Sequence, residues 1–185
     1  MRKIFLSILM FYTTSAFSDE YLIAGIGQVN GSIEAPTLGA SASYSSIAFE
    51  IAAGHKFSEN LAVEAAYIEY GSTSFAGGTA SGHSVGIFAL ASTPVCSHCF
   101  GNDWSLFGKI GVTNTVFELK PATGYAISAP ASQSKNAPAY GLGIQVTDGN
   151  LKPKILRISY NRYSGGDDIM SEIFSTIMVS VGAAF

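Results

Sequence analysis

The chain has 185 residues, of which 48% are hydrophobic and only 12% are charged, and its formal net charge is −3. A mild acidic excess argues against nucleic acid as a partner, because nucleic-acid-binding surfaces are basic. Soluble domains usually carry about 25% charged residues. No stretch after the N-terminal region has the roughly 18 consecutive apolar residues of a membrane-spanning helix. An apolar chain without such a helix points to a membrane β-barrel.

Residues 1–18 have the three parts of a secretory signal peptide. Arg2 and Lys3 give a positive start, an apolar run follows, and the segment ends in small, mostly polar residues. Cleavage after residue 18 is expected, with cleavage after Ala16 as the alternative. The mature domain, 19–185, then has a net charge of −5 because two positive charges are lost. We therefore expect the protein to leave the cytoplasm.

Eight segments combine alternating polarity with frequent glycines and aromatic residues, a pattern typical of β-strands. Most are close in length to the about 9–11 residues that a tilted strand needs to cross a membrane. The sequence therefore predicts an all-β fold, an eight-stranded antiparallel up-and-down transmembrane β-barrel. The predicted strands are 21–28, 47–55, 61–70, 83–92, 104–117, 138–147, 154–163 and 173–185.

The connections between these segments alternate in length. Those after the first, third, fifth and seventh segments are long or rich in glycine and serine, whereas 56–60 and 148–153 are short. Long outer loops and short periplasmic turns are typical of outer-membrane barrels. Residues 93–103 break the pattern, because a periplasmic turn is predicted there and this segment is too long for one.

Four charged residues fall on inward-facing positions of the predicted strands: Glu50, Glu64, Lys109 and Arg157. A base on the lipid-facing side near the bilayer midplane costs about 2–4 kcal/mol, so these side chains are expected to face the lumen. Opposite charges at a similar depth remove most of the cost of burying each one. We interpret the four residues as an interior ion-pair network, a structural plug that fills the lumen. An ion path or a gate is the alternative.

These features resemble the OmpA-like eight-stranded outer-membrane barrels, a family that includes small porin-family and opacity-type surface proteins. The resemblance implies a location in the cell outer membrane, as a monomer surrounded by outer-membrane lipid and lipopolysaccharide. It implies the same interior ion-pair network, and a terminal Phe185 that is read by the barrel assembly machinery. Because the chain ends with the barrel, no peptidoglycan-binding domain is expected. The segments that carry the resemblance are 61–71 (LAVEAAYIEYG), 139–146 (AYGLGIQV), 156–163 (LRISYNRY) and 177–185 (IMVSVGAAF).

The segment 82–86 (GHSVG) matches the G-x-S-x-G nucleophile elbow of serine hydrolases. An elbow requires a strand before the serine, a helix after it, and an acid and then a histidine later in the chain. Here a glycine-rich loop precedes Ser84 and a strand pattern follows it. No acid lies between Ser84 and His98, the last histidine. We therefore expect no catalytic residue in this chain, and we expect no cofactor.

Cys96 and Cys99 are the two cysteines of the chain. In an oxidising compartment such a pair predicts a local disulfide. Free thiols, or a redox or metal role, are the alternatives. A metal would find only His98 as a further local ligand, one fewer than a closed zinc site needs, so no metal is expected. No helix N-terminus that would lower the pKa of a thiol is predicted nearby.

The leading interpretation is a small, non-enzymatic outer-membrane barrel with a structural or surface-interaction role, in envelope integrity or adhesion. Its extracellular loops would contact a ligand that the sequence does not identify. One alternative is an enzyme embedded in the outer membrane, such as a lipid A-modifying hydrolase. Another is a narrow porin-like channel.

Overall fold

The computed structural model describes residues 20–35, 40–75, 78–121, 131–148, 154–166 and 171–185. The predicted signal peptide therefore lies outside the described residues. The described part folds into eight antiparallel strands, and it contains no helix that is long and apolar enough to span a membrane. The strands are β1 (Glu20–Ala35), β2 (Ala40–Ser58), β3 (Leu61–Phe75), β4 (Gly78–Cys99), β5 (Asn102–Pro121), β6 (Ala131–Asp148), β7 (Lys154–Gly166) and β8 (Ser171–Ala184).

The eight strands form one closed sheet. Each strand pairs with its neighbours in sequence, and β8 pairs back with β1, so the order around the barrel is the order along the chain. This confirms the predicted all-β, up-and-down barrel. We call the end of the barrel that carries Glu20 and Phe185 the periplasmic end, and the opposite end the extracellular end.

Alternate residues of each strand face the lumen and the outside, because successive side chains of a strand point to opposite faces. On β2, Ala48 and Ala52 are buried, whereas Ile47, Phe49 and Ile51 are 53–58% exposed. Equivalent apolar side chains on the other strands complete an outward belt around the barrel. Water would make so large an apolar surface unfavourable, whereas lipid is its natural solvent. The belt also includes Leu22, Ile26, Ile87, Ile110, Leu142, Ile158 and Val179.

Aromatic side chains lie on the outward face at both borders of the belt. Trp104 and Phe185 are exposed at the periplasmic border, and Tyr67, Tyr140 and Tyr160 are exposed towards the extracellular one. Aromatic rings with a polar edge are favoured at the interface between lipid and water. Their positions define the part of the barrel that fits a bilayer.

The strands continue further at the extracellular end than the sequence predicts. β1 and β2 remain paired as far as Ala35 and Ala40, and β5 and β6 as far as Leu119 and Ala131. Much of the predicted loops between these strands is therefore paired strand. We call these extracellular extensions of the strands the hairpin arms. Most outward positions beyond the belt are polar, for example Asn30, Asn114 and Asn136, so the apolar alternation fades there although the backbone pairing continues.

The segment 93–103, where a periplasmic turn was expected and which is too long for one, is likewise strand for most of its length. β4 runs to Cys99, and β5 begins at Asn102, its partner in the register. Two register shifts bend β4 on the way. The turn contains two non-glycine residues with positive φ, His98 at 62° and Phe100 at 55°.

Candidate functional site: the barrel lumen and the periplasmic hairpin

The structure brings the four predicted interior charges together in one buried layer of the lumen, which we call the ion-pair layer. Their side chains are at most 4% exposed. Arg157 Nη1 lies 2.6 Å from Glu64 Oε2. Lys109 Nζ lies 3.4 Å from Glu50 Oε1 and 3.6 Å from Glu64 Oε1. Glu64 therefore contacts both bases, and two acids balance two bases in a space shielded from water.

Polar and aromatic neighbours complete the ion-pair layer. Tyr21 Oη donates a 3.1 Å hydrogen bond to Glu64 Oε2, and Arg157 Nη2 donates a 2.9 Å bond to Gln145 Oε1. The Arg157 guanidinium also lies 4.6 Å from the centre of the Phe107 ring. Hydrogen bonds of this kind are needed if buried charges are not to be costly. These neighbours are uncharged, so the charge pattern of the sequence did not reveal them.

A glycine on β2 makes room for one of these neighbours. Tyr21 and Gly54 are partners in the β1–β2 register. A Cβ atom at position 54 would overlap the Tyr21 ring. Because the ring can lie flat over this glycine, Tyr21 Oη reaches Glu64.

Five aromatic side chains fill the lumen nearer the extracellular end. Phe117 and Phe174 stack with ring centres 4.7 Å apart, and Tyr70 is stacked on Phe174 at 5.9 Å. A barrel of eight strands is about wide enough for side chains to fill it. The lumen is thus occupied by two successive layers of side chains. The members of this aromatic cluster are Tyr44, Tyr70, Phe117, Tyr163 and Phe174, each at most 8% exposed.

Ser84, the central residue of GHSVG, is fully buried beside the aromatic cluster. Its Oγ lies 2.7 Å from Tyr70 Oη and 2.6 Å from Thr115 Oγ1. The adjacent His83 lies on the outward face, with its ring 5.9 Å from that of Tyr67. Within the described residues, Ser84 contacts neither a histidine nor an acid. The side chain lacks the neighbouring base that would activate a nucleophile.

The periplasmic hairpin, residues 93–104, holds the two cysteines. A disulfide joins Cys96 and Cys99, whose Cα atoms are 5.8 Å apart. His98 Nδ1 lies 2.9 Å from Asp103 Oδ1, and the backbone N–H of His98 donates a 2.9 Å bond to the same oxygen. That backbone bond, together with the bond to the ring, lowers the pKa of the Asp103 carboxyl. Among the described residues, no group of three potential ligands is arranged to hold a metal ion.

The sequence matches no protein-family model and no curated protein sequence. The fold matches that of several solved structures. Neisserial surface protein A is similar with a TM-score of 0.65 and 13% identity, over 90% of this chain and 97% of that one. The chain has the fold of the small eight-stranded outer-membrane barrels.

Two further structures share this barrel fold. Outer membrane protein OprG of Pseudomonas aeruginosa has a TM-score of 0.61 and 12% identity, over 90% of this chain and 96% of that one. Ail, the attachment invasion locus protein of Yersinia pestis, has a TM-score of 0.54 and 15% identity, over 90% and 99%. At such low identity the likeness establishes the barrel fold alone, and function has to be argued from the residues of this chain.

The last residue of the barrel is held in the sheet by its backbone. The N–H of Phe185 donates a 2.9 Å bond to the carbonyl of Glu20, while its ring is 65% exposed on the outward face. The ring is therefore presented at the periplasmic border of the belt. Its role as an assembly signal stays a prediction.

Proposed function

We propose that this protein is a monomeric, non-enzymatic barrel of the bacterial outer membrane. The barrel is a closed scaffold, and its extracellular hairpin arms contact other cells or other components of the envelope. The observation that carries this proposal is the filling of the lumen by the ion-pair layer and the aromatic cluster. A scaffold whose interior is packed in this way leaves its outer surface for interaction.

The apolar belt and its two aromatic borders support the outer-membrane location. Belts of this kind are the lipid-facing surface of membrane barrels. The lipid around the belt would include lipopolysaccharide in the outer leaflet. Export through the signal peptide 1–18, and recognition of Phe185 by the barrel assembly machinery, belong to the same proposal.

Ordered polar side chains on the outward face of the hairpin arms support a role in surface contacts. Beyond the belt, Gln28 Nε2 donates a 3.2 Å bond to Ser45 Oγ, and Ser45 Oγ donates a 3.0 Å bond to Asn30 Oδ1. On the β5–β6 arms, Asn114 Nδ2 donates a 2.9 Å bond to Asn136 Oδ1. Such ladders hold the arms rigid and present amide and hydroxyl groups to a polar partner. Two of the similar barrels are described as a surface protein and an attachment invasion protein, which agrees with this role.

A deletion strain tests the proposal when it is complemented with two versions of the chain. One is the full chain, and the other has the β1–β2 arm shortened by replacing residues 32–43 with Asn-Gly, which keeps Tyr44 of the aromatic cluster. Both should fold, as judged by different gel mobility of heated and unheated protein. Only the full chain should restore attachment of cells to host cells or surfaces.

Equal attachment with both versions would contradict a role for this arm. Two further measurements on the purified protein address the scaffold itself. Steady ion conductance across a planar bilayer would contradict a closed lumen. Release of acyl chains from lipid A would contradict a non-enzymatic barrel.

A further inference from the structure

We propose that the Cys96–Cys99 disulfide is an exchangeable redox pair that takes electrons from a periplasmic dithiol. In this proposal His98 supplies the proton to the departing sulfur, and Asp103 holds the His98 ring in place. The site lies on the periplasmic hairpin, apart from the lumen and from the extracellular arms, so it is independent of the surface role proposed above.

The cysteine pair is accessible from the periplasm. The hairpin extends past the apolar belt, and the His98 side chain between the cysteines is 88% exposed. Phe100, next to Cys99, is 96% exposed. Both cysteines are themselves partly exposed. A soluble dithiol can therefore approach the disulfide without any opening of the barrel.

The position of the disulfide gives it little to do as a structural staple. A disulfide stabilises a fold mainly in proportion to the logarithm of the loop that it closes. Here the sequence separation is 3, so the loop is minimal. The same hairpin is already closed by backbone pairing, with Pro94 opposite Ser105. The bond therefore shapes the turn and leaves the stability of the barrel almost unchanged.

The neighbourhood of the disulfide contains a histidine with a carboxylate partner. Asp103 Oδ1 accepts bonds from both Nδ1 and the backbone N–H of His98. Because Nδ1 is occupied, Nε2 is the ring nitrogen left to give or take a proton. His98 directly precedes Cys99 in the chain, and a positioned histidine is the side chain that most often donates or accepts a proton in catalysis. His98 is placed in this arrangement by a left-handed backbone conformation, which is uncommon for a non-glycine residue.

Asp103 contacts the His98 ring directly, at 2.9 Å, and other charged groups lie around the hairpin. Asp148 on β6 is opposite Asn102, and Lys154 on β7 is opposite Asp148. Glu59, in the turn between β2 and β3, contacts β4 through its carbonyl, which accepts a bond from Ser92. Asp103 is therefore the charged partner to test first.

The exchange proceeds in two balanced steps. A thiolate of the incoming dithiol attacks one sulfur of the pair, the S–S bond breaks, and a mixed disulfide forms while the second sulfur leaves as a thiolate. His98 gives its proton to that thiolate. The second thiol of the incoming molecule passes its proton to His98 and, as a thiolate, attacks the sulfur of its own molecule in the mixed disulfide. The cysteine sulfur leaves as a thiolate and takes that proton from His98. The dithiol is oxidised to a disulfide, and Cys96 and Cys99 are reduced to two thiols.

The test measures the reduction rate of the full barrel in detergent by dithiothreitol, with a maleimide reagent to trap the thiols. We expect His98→Ala to slow reduction about tenfold, because the departing sulfur loses its proton donor. Imidazole added to the buffer should restore part of the His98→Ala rate and leave the wild-type rate unchanged, because it replaces only the missing donor. Asp103→Asn should slow reduction by a smaller factor, because the ring remains but has lost the carboxylate that positions it. Ser97→Ala, in the same loop, should behave as the wild type.

Two results would overturn the proposal. One is a His98→Ala rate that equals the wild-type rate, with or without added imidazole. The other is a large loss of resistance to urea unfolding in the Cys96→Ser, Cys99→Ser double variant, because the bond would then be a staple. Unchanged urea unfolding of that double variant supports an exchangeable pair. Gel mobility of heated and unheated samples verifies that each variant is folded.

Discussion

Arg157 and Glu64 meet across the lumen from β7 and β3, two strands that are not neighbours in the barrel, with Nη1 2.6 Å from Oε2. The contact therefore links opposite walls through the interior. Lys109 extends it from a third strand, since it lies within 3.6 Å of the same carboxylate. Four strands are linked at one depth by charged side chains that are each at most 4% exposed.

Removing one of these charges should be costly for the barrel. In Arg157→Ala the Glu64 carboxylate keeps only Lys109 and Tyr21 as partners, and breaking a buried pair typically costs about 3–5 kcal/mol. We expect a loss of that size in the free energy of unfolding, measured with urea in lipid vesicles. Adding Glu64→Ala should recover part of the loss, since Lys109 and Glu50 remain paired.

Arg162→Ala is the matched control, because Arg162 is on the outward face and only partly buried. Its effect should be within about 0.5 kcal/mol. If the losses of Arg157→Ala and Glu64→Ala simply add in the double variant, the two side chains are not coupled.

The absence of a side chain at Gly54 should contribute to the stability of the barrel, because it leaves room for the Tyr21 ring that bonds Glu64. Gly54→Ala puts a Cβ into the Tyr21 ring, which must move and withdraw its hydrogen bond from Glu64. Overpacking of this kind costs about 1–3 kcal/mol. Gly108→Ala is the control, because the nearest atom to its Cβ would be the Gly141 carbonyl oxygen at 3.9 Å. Equal unfolding curves for the two variants would show that the Tyr21 ring adjusts freely.

The alternation of side chains was enough to predict the barrel and the face of each strand. A two-residue period places Glu50 inward as soon as Ile47 and Phe49 are outward, because lipid accepts only the apolar face. The number of strands followed from the same pattern. The expected convergence of four charges rested on counting residues from the turns.

The contacts between distant strands could not be read from local pattern. The pairing of Tyr21 with Gly54, and of both with Glu64, depends on the register and tilt of the strands, which no single segment encodes. The aromatic cluster could not be predicted from the sequence for the same reason. Tyr44 and Phe174 are 130 residues apart in sequence, yet their ring centres are 5.8 Å apart. The Asp103 partner of His98 was missed because residues 93–103 were treated as a connection between strands, without a register.

We expect Ser84 to stabilise the fold and to have no catalytic role. Ser84→Ala leaves the Tyr70 and Thr115 hydroxyls without their shared partner in the lumen, and an unpaired buried hydroxyl costs about 1–3 kcal/mol. We expect a loss of unfolding free energy in that range and no change in hydrolysis of ester or lipid A substrates. His83→Ala, on the outward face, should leave stability nearly unchanged. Hydrolysis by the wild type that disappears in Ser84→Ala would contradict this assignment.

The Asp103 carboxyl should titrate below its usual range. The backbone N–H of His98 is the main cause of the lowered pKa, and the His98 side chain is the second. Because the pKa is lowered in the folded state, the contact is fully present above the unfolded value of about 3.9 and is lost as the pH falls through the folded value. The contact between His98 and Asp103 should therefore be present at neutral pH and be lost only in acid, while the disulfide and the backbone pairing keep the hairpin closed. Carboxyl NMR of the barrel in detergent measures this directly. His98→Ala retains the backbone bond, so it should restore only part of the shift, and a full return to the usual value would show that the ring is the main cause.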